Sequence, residues 1–143
     1  MKKMINGVDN IVDEMLNGMT AAFPSAIGRV PGTDVIVRTG AKKTDKVVLI
    51  SGGGSGHEPA HGGYVGRGML DAAVAGAVFT SPTLDQVYEA IQATECGKGA
   101  LLIIKNYTGD VMNFEMAADM ASDEDITVDR VIVADDGAVE DST

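Results

Sequence analysis

The chain has 143 residues, 45% of them apolar, with 18 glycines and a formal net charge of −10. That length holds one domain with a sizeable core, and the acidic surplus excludes the basic footprint of a nucleic-acid binder. A lone cysteine, Cys96, leaves no internal disulfide framework and suits a reducing, cytoplasmic compartment; no run approaches the about 18 apolar residues of a membrane-crossing helix.

Ile5, Val8, Val12, Met15, Met19 and Phe23 recur at spacings of three and four. They predict an amphipathic helix over residues 5–22, ended by Pro24-Ser25. Pro31-Gly32 marks a turn, Val35-Ile36-Val37 a short strand, and residues 40–45 a polar turn. A strand over 46–50 then drives into Ser51-Gly52-Gly53-Gly54-Ser55-Gly56-His57-Glu58-Pro59-Ala60-His61, which holds both histidines of the chain. Residues 52–68 contain eight glycines, a density that argues against a regular helix or strand. They predict a long structured loop, and such loops are usually functional.

Residues 72–79 read as a buried strand of small side chains. Ser81 is suited to cap the next helix, with Pro82 at its first position. Leu84, Val87, Tyr88 and Ile91 form that helix's apolar stripe, and Gly97 and Gly99 end it. Residues 100–104 carry the strongest strand signal. A helix starts near Asp110, which suits its positive end, and Met112, Met116 and Met120 repeat along it as core. Residues 128–134 are a last strand, left through Asp135-Asp136.

This order predicts an α/β fold, a mostly parallel or mixed β-sheet covered by helices on both faces. In such sheets ligands collect beyond the carboxyl ends of the strands. Three polar exits belong there, at residues 51–57, 80–83 and 105–110, and the topology predicts that they converge.

Familiar signatures fail on the glycine stretch. No lysine follows Gly56, which rules out a Walker A loop; the sixth place from Gly52 or Gly54 is not glycine, which rules out a dinucleotide fingerprint. A nucleophile elbow on Ser55 would need glycine where His57 stands. His57 to His61 does read His-Glu-x-x-His. A zinc peptidase needs those imidazoles on one rigid helical face, and Pro59 with Gly62-Gly63 denies it one. No metal site is expected. His57, at the end of the loop, is the candidate acid/base or hydrogen-bonding group, and His61 the structural one. Asp110 is either a helix cap or a ligand, and Lys105 either a solvated strand end or a ligand.

Three long stretches, taken together, resemble a known family. They are Ser51-Gly52-Gly53-Gly54-Ser55-Gly56-His57-Glu58-Pro59, Phe79-Thr80-Ser81-Pro82-Thr83 and Leu102-Ile103-Ile104-Lys105-Asn106-Tyr107-Thr108-Gly109-Asp110. They look like the dihydroxyacetone-binding subunits of bacterial dihydroxyacetone kinases, and the likeness runs the length of the chain. The resemblance implies that Gly54, Ser55, Gly56 and His57 line a triose site completed by Lys105 and Asp110. It gives His57 an acid/base role, and has Asp110 bond the ligand and help activate the hydroxyl that receives phosphate.

It also implies partners. Such a subunit binds no cofactor itself. A second kinase subunit carries ADP with magnesium, and a third, phosphohistidine-bearing subunit of the sugar phosphotransferase system rephosphorylates that ADP. The family forms homodimers. Sister forms are single-chain ATP-dependent kinases and triose-binding transcriptional coactivators. Family subunits are more than twice as long, and their later half supplies a histidine that bonds the substrate carbonyl. Residues 1–143 are therefore expected to be the N-terminal part of the dihydroxyacetone-binding domain, without its C-terminal half and inactive alone.

Overall fold

The computed structural model describes residues 3–40 and 45–134. Among them six strands form one sheet: β1 Ile27–Arg29, β2 Val35–Arg38, β3 Val48–Ser55, β4 Ala72–Val78, β5 Ala100–Lys105 and β6 Val128–Val133. Their order is β1-β2-β4-β3-β5-β6. From β4 to β6 neighbouring strands are parallel, while β1 and β2 add an antiparallel margin beside β4. The sheet is thus mixed. The sequence reading missed β1, which is three residues long with Gly28 in the middle, too short to show an alternation.

Three helices cover the sheet: α1 Ile11–Ala22, α2 Leu84–Thr94 and α3 Thr108–Asp123. Strand alternation sorts the core into two faces. Val48, Ile50, Val74, Leu102 and Ile104 are buried with Val87 and Ile91 of α2 and Phe114 of α3. On the other face Leu16 of α1 packs with Ile27, Ile36, Val65, Leu70 and Ala73. Each large side chain buried in this way contributes about 1.5–3 kcal/mol relative to exposure.

Four local expectations need correction. Residues 5–22 do not form one helix: a 3-10 turn at Val8–Asn10 precedes α1, and Ile5, Val8 and Phe23 are exposed. The fully buried residue of α1 is Leu16, which stands outside the expected stripe. The methionines of α3 are not core. Phe114, Ala117, Ala118 and Ala121 take the buried side, where small side chains let the helix approach closely, and Met112, Met116 and Met120 fall on the exposed side. Thr83, not Ser81, precedes α2, and its side chain makes no capping bond. Finally, Gly52, Gly53 and Gly54 lie within β3 rather than in a loop. Their neighbours explain it: a Cβ on Gly52 would stand 2.6 Å from the Val74 carbonyl oxygen and 3.1 Å from the Phe114 ring. Residues 41–44 of the expected polar turn, and Asp135-Asp136, lie outside the described residues.

At the amino ends of β3 and β4 a buried carboxylate ties the sheet together. Asp71 meets Arg38 Nη2 at 3.0 Å and Lys46 Nζ at 2.5 Å, and accepts the Leu49 backbone N–H at 3.0 Å. Burial pushes its pKa up, but the Lys46 and Leu49 hydrogen bonds and the Lys46 and Arg38 charges outweigh burial and leave it below the usual 3.8. A depressed folded-state pKa stabilises the fold above the unfolded value, and that contribution is lost as pH falls through the folded value. Asp71→Asn is expected to cost about 2–4 kcal/mol in urea unfolding at neutral pH, because two cations lose their counter-charge. The same variant should show a weaker loss of stability below pH 3.8 than the parent.

Candidate functional site

The loops leaving β3 and β5 depart to opposite faces of the sheet. After β3 the chain turns toward the α1 face, through a 3-10 turn at Gly62–Tyr64 that ends on buried Val65. After β5 it enters α3 on the other face. Such a divergence opens a crevice beyond the carboxyl ends of the strands. Here it is a cavity of about 320 Å³ lined by all three polar exits. Gly54 comes from the end of β3 and His57 from the turn after it. Phe79, Thr80 and Ser81 come from the loop after β4. Lys105 closes β5, and Tyr107 and Asp110 open α3.

Asp110 is the buried acid of the cavity, 2% exposed in the first turn of α3. The positive helix end favours a carboxylate there. Lys105 Nζ lies 3.8 Å from its Oδ2 and 5.1 Å from the centre of the Tyr107 ring. The ammonium is thus held between a carboxylate and an aromatic face at the cavity wall. His57 is exposed and stands edge-on to Phe79, with ring centres 5.5 Å apart at 88°.

Four of the six residues singled out from sequence, Gly54, His57, Lys105 and Asp110, share the cavity wall. Ser55 and Gly56 do not line it. The Ser55 hydroxyl donates to the Gly76 carbonyl at 2.7 Å, pinning β3 to β4 where their register shifts. Gly56 has φ +113°, and a Cβ there would stand 2.9 Å from Cζ of Phe79. These two residues set the turn that presents His57. Residues 57–61 form turns rather than a helix.

Phe79 opens the second of the resembling stretches, yet sequence reasoning gave it no role. It has φ +51°, a backbone conformation that a bulky side chain adopts only under constraint, at a cost on the order of 1–3 kcal/mol. Its N–H donates to the Ser55 carbonyl at 2.8 Å, which holds it there. The available signal was its position directly before the polar exit at 80–83.

His61 lies on the far side of the β3 end. Its Nδ1 is 2.8 Å from Ser51 Oγ. Loss of water by burial, then the Lys105 charge, lower its pKa to about 4, with Asp110 pulling the other way and His57 adding slightly to the lowering. A base depressed in this way loses stabilisation as pH falls from 6.5 through about 4. The imidazole is therefore neutral at neutral pH.

With this geometry in view, the comparisons with known proteins are specific. The Dak1 domain model matches residues 17–143. The chain belongs to the Dak1 family. A curated relative of this Dak1 chain is the PTS-dependent dihydroxyacetone kinase 1, dihydroxyacetone-binding subunit, of Listeria innocua. It is 62% identical over the whole chain, which covers 43% of that relative. The dihydroxyacetone kinase of C. freundii in its native form matches with a TM-score of 0.90 and 42% identity, over 99% of this Dak1 chain and 27% of that one. The co-activator of a dihydroxyacetone kinase operon matches with a TM-score of 0.80 and 44% identity, over 86% of this chain and 37% of that one. The Dak1 chain described here thus spans less than half the length of each.

Proposed function

We propose that this Dak1 chain is the N-terminal part of the dihydroxyacetone-binding subunit of a phosphotransferase-system-dependent kinase. That kinase transfers phosphate to dihydroxyacetone to give dihydroxyacetone phosphate. The observation that carries the reading is the cavity in which Gly54, His57, Lys105 and Asp110 meet, in a chain 62% identical to a subunit of that name. Dihydroxyacetone is small, neutral and rich in hydroxyls. It offers little apolar surface, so directed hydrogen bonds must hold it. Lys105 supplies donors, Asp110 accepts from a hydroxyl, and backbone around Gly54 comes close because no Cβ intervenes. His57 takes the proton of the attacking hydroxyl. Phosphoryl transfer is loose enough that positioning outweighs full deprotonation, which suits weak bases such as imidazole and carboxylate.

The phosphoryl donor is expected on another chain, an ADP-binding kinase subunit with magnesium, recharged by a phosphohistidine-bearing subunit. The full-length protein is expected to be a cytoplasmic homodimer, and the isolated 143-residue chain to be inactive. Mixing the full-length protein with the purified ADP-bearing subunit, the third subunit already phosphorylated on its histidine, magnesium and dihydroxyacetone should form the triose phosphate. No product from that mixture would reject the reading.

Phe79 supplies a graded test. The residue is 72% exposed, so Phe79→Ala removes little buried area and should leave stability nearly unchanged. It also removes the wall against which His57 stands. We expect kcat/KM for dihydroxyacetone to fall about tenfold, an effect of positioning on acid/base catalysis.

A second reading has its own observation, the match to the operon co-activator over 86% of the chain. In that case the same cavity senses the triose. Affinity capture with the full-length protein separates the two: a kinase subunit retains an ADP-bearing partner, a co-activator retains a transcription regulator.

A further inference from the structure

His61 is left over from the triose site. Strand alternation puts Ser51 and Gly53 of β3 and Ile103 and Lys105 of β5 on the α1 face, where His61 also packs. Ser51 Oγ lies 2.8 Å from His61 Nδ1 and 2.7 Å from the Ile103 carbonyl oxygen. A hydroxyl has one proton to give, and a carbonyl can only accept. Ser51 therefore donates to Ile103, and the imidazole donates to Ser51 through an Nδ1–H. In a neutral ring that leaves Nε2 as a bare acceptor. This Nε2 is buried and has no hydrogen-bond partner among the described residues. A buried acceptor without a donor is costly and calls for an explanation.

The cation beside it is Lys105. A Cβ on Gly53 would stand 2.6 Å from Lys105 Nζ and 3.4 Å from His61 Nε2, so both nitrogens crowd the empty side of that glycine. We propose that His61 is a positioning residue, held by Ser51 as the Nδ1–H tautomer so that its Nε2 lone pair faces the Lys105 ammonium and keeps it turned toward Gly54 and Asp110. Rotation about the last bonds of the lysine brings a donor within reach. A neutral acceptor directs the ammonium without neutralising it, whereas a second carboxylate would pair with it and draw it from Asp110. Protonated His61 would instead set two cations side by side. The other ionisable groups around it are Asp110 and His57, which act on it across Lys105, and Glu58 and Tyr64, which line the cavities on its two sides.

The catalytic consequence rests on the reading of Lys105 as a triose ligand, but the tautomer does not. Proton–nitrogen correlation NMR of the full-length protein with isotope-labelled histidine should show His61 protonated at Nδ1 and bare at Nε2 at neutral pH. Lys105→Met should shift the Nε2 resonance and raise the titration midpoint from about 4. An Nε2–H tautomer, or an Nε2 resonance indifferent to Lys105→Met, overturns the proposal. Neither readout needs turnover, so a wild-type protein unable to phosphorylate dihydroxyacetone would reject the kinase reading and leave this one to be decided by NMR. With turnover, His61→Leu should raise the KM for dihydroxyacetone about tenfold, the loss of one directed hydrogen bond to a charged group. His61→Gln, which restores an acceptor, should recover most of it. In a Lys105→Met background His61→Leu should add nothing; additive losses would reduce His61 to packing and overturn the proposal.

Discussion

His57→Ala in the full-length protein is expected to lower kcat for dihydroxyacetone phosphorylation by about 10²–10⁴-fold, the range for loss of a positioned acid/base group. Stability should stay within about 0.5 kcal/mol, as for surface substitutions generally. The two expectations separate cleanly because His57 is exposed and its one aromatic partner, Phe79, is itself on the surface. The imidazole stands at the mouth of the cavity while Asp110 lies buried at its wall. A triose between them would have one hydroxyl at the carboxylate and another at the imidazole. KM should therefore rise less than kcat falls. Unchanged turnover in His57→Ala would remove this residue from the mechanism and shift the burden to Asp110.

The crevice was legible because it depends on strand order rather than on side-chain detail. Apolar runs at 46–50 and 100–104, each followed by polar residues, were enough to predict that Gly54 and Lys105 would leave the same end of one sheet. Which residues turned inward was harder to read. Met112, Met116 and Met120 carry more apolar surface than Ala117, Ala118 and Ala121, yet the alanines are buried because α3 lies close against α2 and the sheet. Periodicity marks a stripe; it does not say which of two stripes the packing distance favours. His61 was legible as the structural histidine, but its pairing with Ser51 was not, for a related reason. Their pairing needs the β3–β5 register, in which Ser51 stands opposite Ile103, and no local pattern encodes that. Phe79 escaped because a positive φ in a large residue follows from the chain on either side of it, not from its own preference.

The glycines offer the sharpest test, since density alone suggested a structured loop and the structure instead makes Gly52, Gly53 and Gly54 close-packed strand. Gly53 and Gly54 are adjacent, yet their alanine variants should fail differently. A Cβ on Gly54 would meet backbone: Thr80 N at 2.7 Å, Phe79 C at 3.0 Å and Phe79 Cα at 3.1 Å. Backbone cannot rotate away, so Gly54→Ala must part the end of β3 from the loop after β4. That should cost about 1–3 kcal/mol, the range for overpacking, and spoil both Phe79 and the cavity wall. A Cβ on Gly53 would meet the tip of a flexible side chain instead, Lys105 Nζ at 2.6 Å and Cε at 2.7 Å. The lysine can swing aside, so Gly53→Ala should keep stability within about 0.5 kcal/mol. The swing carries the ammonium away from Asp110 and out of the cavity, and KM for dihydroxyacetone should rise about tenfold or more, as expected when a charged hydrogen bond is lost. Urea unfolding and steady-state kinetics on the two variants decide the matter. Equal losses of stability would mean that Lys105 is not free to move; an unaffected KM in Gly53→Ala would mean that its ammonium does not hold the triose.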